Sequence, residues 1–190
     1  DDAGATNLDA VTISVVTLAP ATLSPAGAVW KYLDNGTDQG TAWRSNSFND
    51  TTWKSGPAML GYGDANGVYP RTTNSYGPDP NNKYITTYYR RAILVPNPAE
   101  VTALTARLQR DDGAVVYLNG AEVWRNNLPA GTITNLTRAN ATVSGTNETN
   151  WIITPLSPGL LLSGTNVIAV EIHQDSTNSS DIAFDFELAA

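Results

Sequence analysis

The 190-residue chain has the length of one domain, enough to bury roughly 70% of the surface its unfolded form exposes. It carries no cysteine, one histidine and a net charge of −7, which excludes disulfides, thiolate nucleophiles and Cys-ligated metal centres and leaves no basic footprint for nucleic acid. No apolar run approaches the roughly 20 residues of a membrane helix, so a membrane is not an expected partner either.

In chain order, residues 1–10 read as a frayed segment or linker, and 11–190 as a single β-sandwich domain. The opening Asp1-Asp2-Ala3, without Met, reads as the start of a processed chain or of a module cut from a longer one. Asn, Ser and Thr supply 53 residues, which favours turns and extended strands over helix interiors. Period-two alternation predicts strands at 11–18, 29–33, 84–95, 101–110, 114–118, 122–125, 151–154, 167–174 and 182–188. Only 49–53 and 157–162 read as short helical turns. Many short strands bounded by Gly, Pro, Asn and Asp define an all-β sandwich or barrel.

The sharpest local signal is Ala114 to Arg125, where Asn119-Gly120 suits a two-residue type I′ hairpin. A regular ladder from that turn sets Val116 opposite Val123 and Val115 opposite Trp124. Tyr117, Glu122 and Trp124 then stand on the face away from the core. In the last two strands Ile168, Val170 and Ile172 alternate with Glu171 and His173, and Ile182, Phe184, Phe186 and Leu188 with Asp185 and Glu187. A hairpin between these strands would set His173 opposite Asp181. Residues 61–83 hold three tyrosines and no periodicity, the mark of a long functional loop. Six Asn-x-Ser/Thr triplets, starting at Asn35, Asn49, Asn135, Asn140, Asn147 and Asn178, are compatible with an extracellular location and also follow from composition.

No catalytic centre is legible. A serine triad lacks its Gly-x-Ser-x-Gly elbow, and one histidine cannot build a metal-hydrolase site. Glu171 and Glu187 remain as a carboxylate pair of the kind a glycosidase or lyase needs, provided their strands are neighbours. Binding chemistry is better supplied. Sugars are held by aromatic faces and by planar polar groups, and the candidates are Trp124, Tyr117, Arg125, Asn126, Tyr69, Arg71, Tyr76 and His173. Trp30, Trp43, Trp53 and Trp151 read as core. For a hard cation such as Ca²⁺, Asp111 and Asp112 form one candidate pair, and the loop Asp34 to Gly40 is a second.

The segments Phe48 to Trp53, Tyr89 to Ile93, Arg110 to Arg125 and Gly164 to His173 together resemble galactose-binding-domain-like jelly rolls. Their order is similar to that in the sugar-binding domains of family 2 glycoside hydrolases and in accessory carbohydrate-binding modules of secreted bacterial enzymes. The resemblance covers residues 30–188. It implies a non-catalytic jelly roll of a larger secreted bacterial enzyme, often carbohydrate-binding and often holding structural Ca²⁺, with a catalytic domain on the same polypeptide as its partner. The alternative is a structural accessory domain that packs on that neighbour without a small ligand. Asp111-Asp112-Gly113 also resembles the acidic pair of PA14-type lectin domains, where adjacent aspartates hold calcium beside the sugar.

Overall fold

The computed structural model describes residues 21–190, in which twelve strands form two six-stranded sheets. The strands are β1 (Thr22–Ser24), β2 (Val29–Leu33), β3 (Lys54–Pro57), β4 (Leu60–Tyr62), β5 (Thr72–Thr73), β6 (Thr86–Val95), β7 (Leu104–Asp111), β8 (Gly113–Leu118), β9 (Ala121–Asn126), β10 (Ile152–Leu156), β11 (Gly164–His173) and β12 (Ile182–Ala189). The first sheet runs β10-β7-β12-β4-β5, with β1 also on β12, and the second runs β3-β2-β6-β11-β8-β9. All pairings are antiparallel except β4 with β5. Among the described residues the only helical pieces are 3-10 turns, and no helix is long and apolar enough to cross a membrane. The protein is an all-β jelly-roll sandwich, as the alternating segments implied.

The expected strand over 11–18 and the segment 1–10 lie outside the described residues. The other eight expected strands form, that over 29–33 with the expected ends and the other seven with one or both ends shifted. The short β1, β3, β4 and β5 were not anticipated. β3 reads Lys-Ser-Gly-Pro and β4 Leu-Gly-Tyr, too short and too rich in Gly and Pro to show alternation. The turn expected over 157–162 is a 3-10 turn at Pro158–Leu160. Residues 49–53 form a plain turn instead of a helical one, in which Trp53 N donates to Asp50 O (3.1 Å).

Two register expectations are corrected. β11 and β12 do not form a hairpin. β11 lies between β6 and β8 in the second sheet and β12 beside β7 in the first, so the polar loop 174–181 crosses from one sheet to the other. His173 pairs with Gly113 and Thr86, not with Asp181. The β8–β9 hairpin turns at Asn119-Gly120, with φ of 53° and 90°, and begins in the expected register. A bulge at Val123 then sets Val116 opposite Trp124. That one inserted residue moves Trp124 to the core side, because side chains alternate with period two.

Between the sheets lies the main core. Trp30 meets Phe184 and Phe186 edge-on at 5.0 and 6.0 Å, and Tyr89 stacks on Phe184 at 4.2 Å. Ile168, Val170 and Ile172 face them from β11. A second apolar cluster covers the opposite face of the second sheet. Tyr88, Val115, Tyr117 and Ala169 supply its floor, while Trp43 and Trp53 from one connection and Leu128, Ile133 and Ala139 from another form its lid. That covered outer face positions the site.

Candidate ligand-binding site

Most of the side chains proposed from sequence are occupied within the fold. Tyr117 is buried, donates its hydroxyl to Glu171 Oε1 (2.6 Å) and packs edge-on against Trp43. Trp124 is half-buried against the main core, which corrects its placement on the outer face. Arg125 donates to both Glu122 oxygens and to the carbonyls of Pro129 and Gly131, and Asn126 Oδ1 accepts from Arg110 Nε (2.7 Å). His173 has no exposed surface. Its Nδ1 lies 2.7 Å from Thr137 O, a carbonyl that can only accept, so Nδ1 donates there. Only the loop candidates stay at the surface. Tyr69 and Arg71 are exposed, and Tyr76 packs on Tyr62 at 5.3 Å with the Lys83 ammonium 5.4 Å from its ring.

Glu171 and Glu187 do not form a pair. Glu171 stands on the outer face of the second sheet, whereas Glu187 is in the first sheet and bonded to Arg107 at 3.0 Å. The carboxylate geometry a glycosidase needs is therefore not assembled from them.

The structure instead opens two adjoining cavities beside the outer cluster, of about 220 and 140 Å³. Gly36 and Thr37, residues 82–86, Asn135, Leu136 and Thr177 line the larger. The smaller is bounded by Asp38, Gly40, Thr41, Arg44, Tyr88, residues 133–135 and Glu171. Asn135 borders both, so the two cavities lie side by side and together line a groove-like surface along the connections 34–44 and 133–137. At Gly36 a Cβ would come within 2.4 Å of the Tyr84 ring, and only glycine lets the backbone lie flat on that aromatic wall. The walls otherwise combine hydroxyls, amides and charged groups with the apolar side chains of Ile85, Ile133 and Leu136.

At the inner end, Arg44 lies over the Tyr117 ring with its guanidinium carbon 4.1 Å from the centroid, and its Nη2 is 3.4 Å from Glu171 Oε1. Glu171 Oε2 lies 3.4 Å from His173 Nε2. Burial, reinforced by the charge of Glu171, holds the Tyr88 and Tyr117 phenols far above their usual range, so both stay neutral donors. None of the eight candidate ligand residues lines either cavity. A signal for the groove was present. Trp43, Trp53 and Ile133 are apolar residues within polar connections, and such residues must be buried against something.

Of the two cation candidates, the loop 34–40 is spent internally. Asp34 accepts from Lys54 Nζ at 2.9 and 3.1 Å and from Ser75 N at 2.6 Å, and Asp38 accepts from Gly40 N. Asp111 and Asp112 sit where the chain crosses from β7 to β8, both fully buried. Asp112 accepts from Val143 N (2.6 Å) and Asp175 N (2.9 Å), tying two connections together. Among the described residues neither oxygen of Asp111 has a hydrogen-bond donor. Burial first, then the neighbouring Asp112, pushes the Asp111 carboxyl well above the usual range, and burial raises Asp112 as well. Among the described residues no group of three or more His, Cys, Asp or Glu side chains converges as a metal set.

No protein-family model and no curated protein matches the sequence. Solved structures do match. A β-glucuronidase from Bacteroides uniformis superposes with a TM-score of 0.56 and 16% identity, over 90% of this chain and 18% of that one. A glycosyl hydrolase family 2 member from Bacteroides cellulosilyticus gives 0.55 and 14%, over 91% and 21%. A β-glucuronidase from an uncultured Clostridium sp. gives 0.52 and 13%, over 95% and 30%. These likenesses establish the fold. The chain spans less than a third of each enzyme, so the activities those names describe belong to much longer chains.

Proposed function

We propose that this chain is a non-catalytic carbohydrate-binding module of a larger secreted bacterial glycosidase, whose catalytic domain lies on the same polypeptide. The observation that carries the reading is the groove. It is concave and lined with amides, hydroxyls and a carboxylate–guanidinium pair beside tyrosine rings, the mixture that holds sugar hydroxyls and C–H faces. The separation of Glu171 from Glu187 and the small share of each matched glycosidase that the chain covers support a binding role. Both cavities fall below the roughly 300–1,000 Å³ of tight ligand pockets, so single sites will hold oligosaccharide at micromolar to millimolar Kd. Retention on immobilised neutral polysaccharides is the test. Asn135→Ala, which alters both cavities, will abolish retention. A folded protein that no polysaccharide retains, and that gains stability only when fused to a neighbouring domain, would show a structural accessory domain instead.

The Asp111–Asp112 pair favours a second element of this reading, a bound Ca²⁺. The donor chemistry supports it, since two buried carboxylates stand adjacent and, among the described residues, no N–H or hydroxyl donates to either Asp111 oxygen. Bound there, the cation would neutralise the pair and hold the 143 and 175 connections through Asp112. Millimolar Ca²⁺ will raise Tm in the wild type and leave Asp111→Asn unchanged. An equal Tm in Ca²⁺ and in chelator excludes the site.

A further inference from the structure

The smaller cavity carries a more specific inference, which rests on the carbohydrate reading. We propose that it is a subsite for one vicinal diol of a neutral sugar, with the Glu171 carboxylate accepting from the hydroxyls and the Arg44 guanidinium donating to them. Glu171 is only 2% exposed, yet it lines the cavity. Its Oε1 takes the Tyr117 hydroxyl, while its Oε2 accepts no hydrogen bond among the described residues and meets only His173 Nε2, at 3.4 Å. Oε1 also takes Arg44 Nη2 at 3.4 Å, so of the roughly four acceptor sites of a carboxylate about half, those of Oε2, are unused.

Arg44 is the complement. Among the described residues its Nε is buried without a partner, and the one polar contact of its side chain is the long 3.4 Å approach to Glu171. A guanidinium offers five donors in a fixed plane, and Tyr117 holds that plane from beneath. An acceptor and a donor with spare capacity therefore stand side by side at a cavity wall. Neighbouring hydroxyls that each donate once and accept once satisfy both. Ile133 and Tyr88 give the C–H face an apolar surface.

Charge decides between neutral and acidic sugars. The lining carries Glu171 and Asp38 against Arg44 alone, an excess of negative charge that opposes a uronate or sulfate. In the larger cavity Lys83 is the one charged lining residue, and its ammonium is committed to Ser179 O and to the faces of Tyr62 and Tyr76.

The test is calorimetric titration with xylo-, manno-, cello- and galacto-oligosaccharides, each compared with oligogalacturonate. A neutral oligosaccharide will bind, oligogalacturonate will bind at least tenfold more weakly, and Glu171→Gln and Arg44→Gln will each lower neutral affinity at least tenfold. The Arg44 Nε–H resonance of the wild type will shift on saturation, a readout that stands even if a variant fails to fold. Tighter binding of the uronate, unchanged affinity in both variants, or an unmoved Arg44 resonance overturns the diol subsite and leaves the carbohydrate reading intact. Failure of every saccharide to bind the wild type overturns that reading and the subsite together.

Discussion

Trp43→Ala will cost the domain about 3–5 kcal/mol and remove the support of the groove. Trp43 has no exposed surface. It stacks on Trp53 at 6.4 Å and meets Tyr88 and Tyr117 edge-on at 4.8 and 5.8 Å. Among the described residues it joins the lid of the outer cluster to its floor through two aromatic contacts, where Trp53 adds one, with Tyr88 at 6.5 Å. The carbonyl of Trp43 also accepts from the buried Arg90 guanidinium, which Asp50 holds from the other side at 2.9 Å, so the connection carrying Trp43 is anchored through the backbone as well. An alanine keeps that anchor and leaves a void the size of an indole. Arg44, the next residue, loses the indole 5.8 Å from its guanidinium carbon, and the Tyr117 ring beneath it loses its edge-on support.

In denaturant, the midpoint will fall with little change in m, and Tm will drop by roughly 10 °C or more. Trp151→Ala is the control. Trp151 is half-exposed, with the Arg107 guanidinium 4.8 Å from its ring, and its loss will cost about 1 kcal/mol. Equal losses in the two variants would mean that the outer cluster adds nothing to stability and is only a loose cover.

The same cluster explains what the sequence revealed and what it withheld. Strong alternation, as in Ile168-Ala169-Val170-Glu171-Ile172, is imposed by a sheet with one buried face, and it placed β11 and β12 correctly. It could not reveal that the other face of β11 is covered too. Glu171 and His173 therefore read only as the face opposite the core, although loops rich in Asn, Thr and Gly close over them. Pairing between strands depends on contacts far apart in sequence, so two consecutive apolar strands passed for a hairpin when they belong to opposite sheets. The displacement of Trp124 has a smaller cause. The turn at Asn119-Gly120 was legible, but the bulge at Val123 leaves no local trace, and one residue exchanged the inner for the outer face. The groove is built from connections with no periodicity, which is why its lining residues escaped while the scaffold did not.

Stability will fall as pH rises from about 4 through neutrality, and Asp111→Asn will flatten that fall. An unfolded aspartate ionises near pH 3.9, whereas burial and the adjacent Asp112 hold the native Asp111 protonated well above that point. Across the interval the native state binds the extra proton, so deprotonation favours the unfolded chain. The slope approaches about 1.4 kcal/mol per pH unit for one proton. Asp112 and Asp185, both raised mainly by burial, act in the same direction. The carboxylates that ordinarily make proteins less stable in acid contribute the opposite sign here. Asparagine at 111 keeps the shape and a donor toward Asp112 but has no proton to lose, so the variant will be the more stable protein at pH 8 and nearly equal at pH 4. Calcium enters the same balance, since the cation and the proton compete for the Asp111 oxygens. Saturating Ca²⁺ will therefore flatten the wild-type slope toward that of the variant while leaving the variant unaffected. Urea denaturation at half-unit intervals between pH 4 and 8, with Ca²⁺ and with chelator, measures all four slopes. A wild-type stability that climbs over this range would show that Asp111 is ionised in the native fold and held by donors other than a proton.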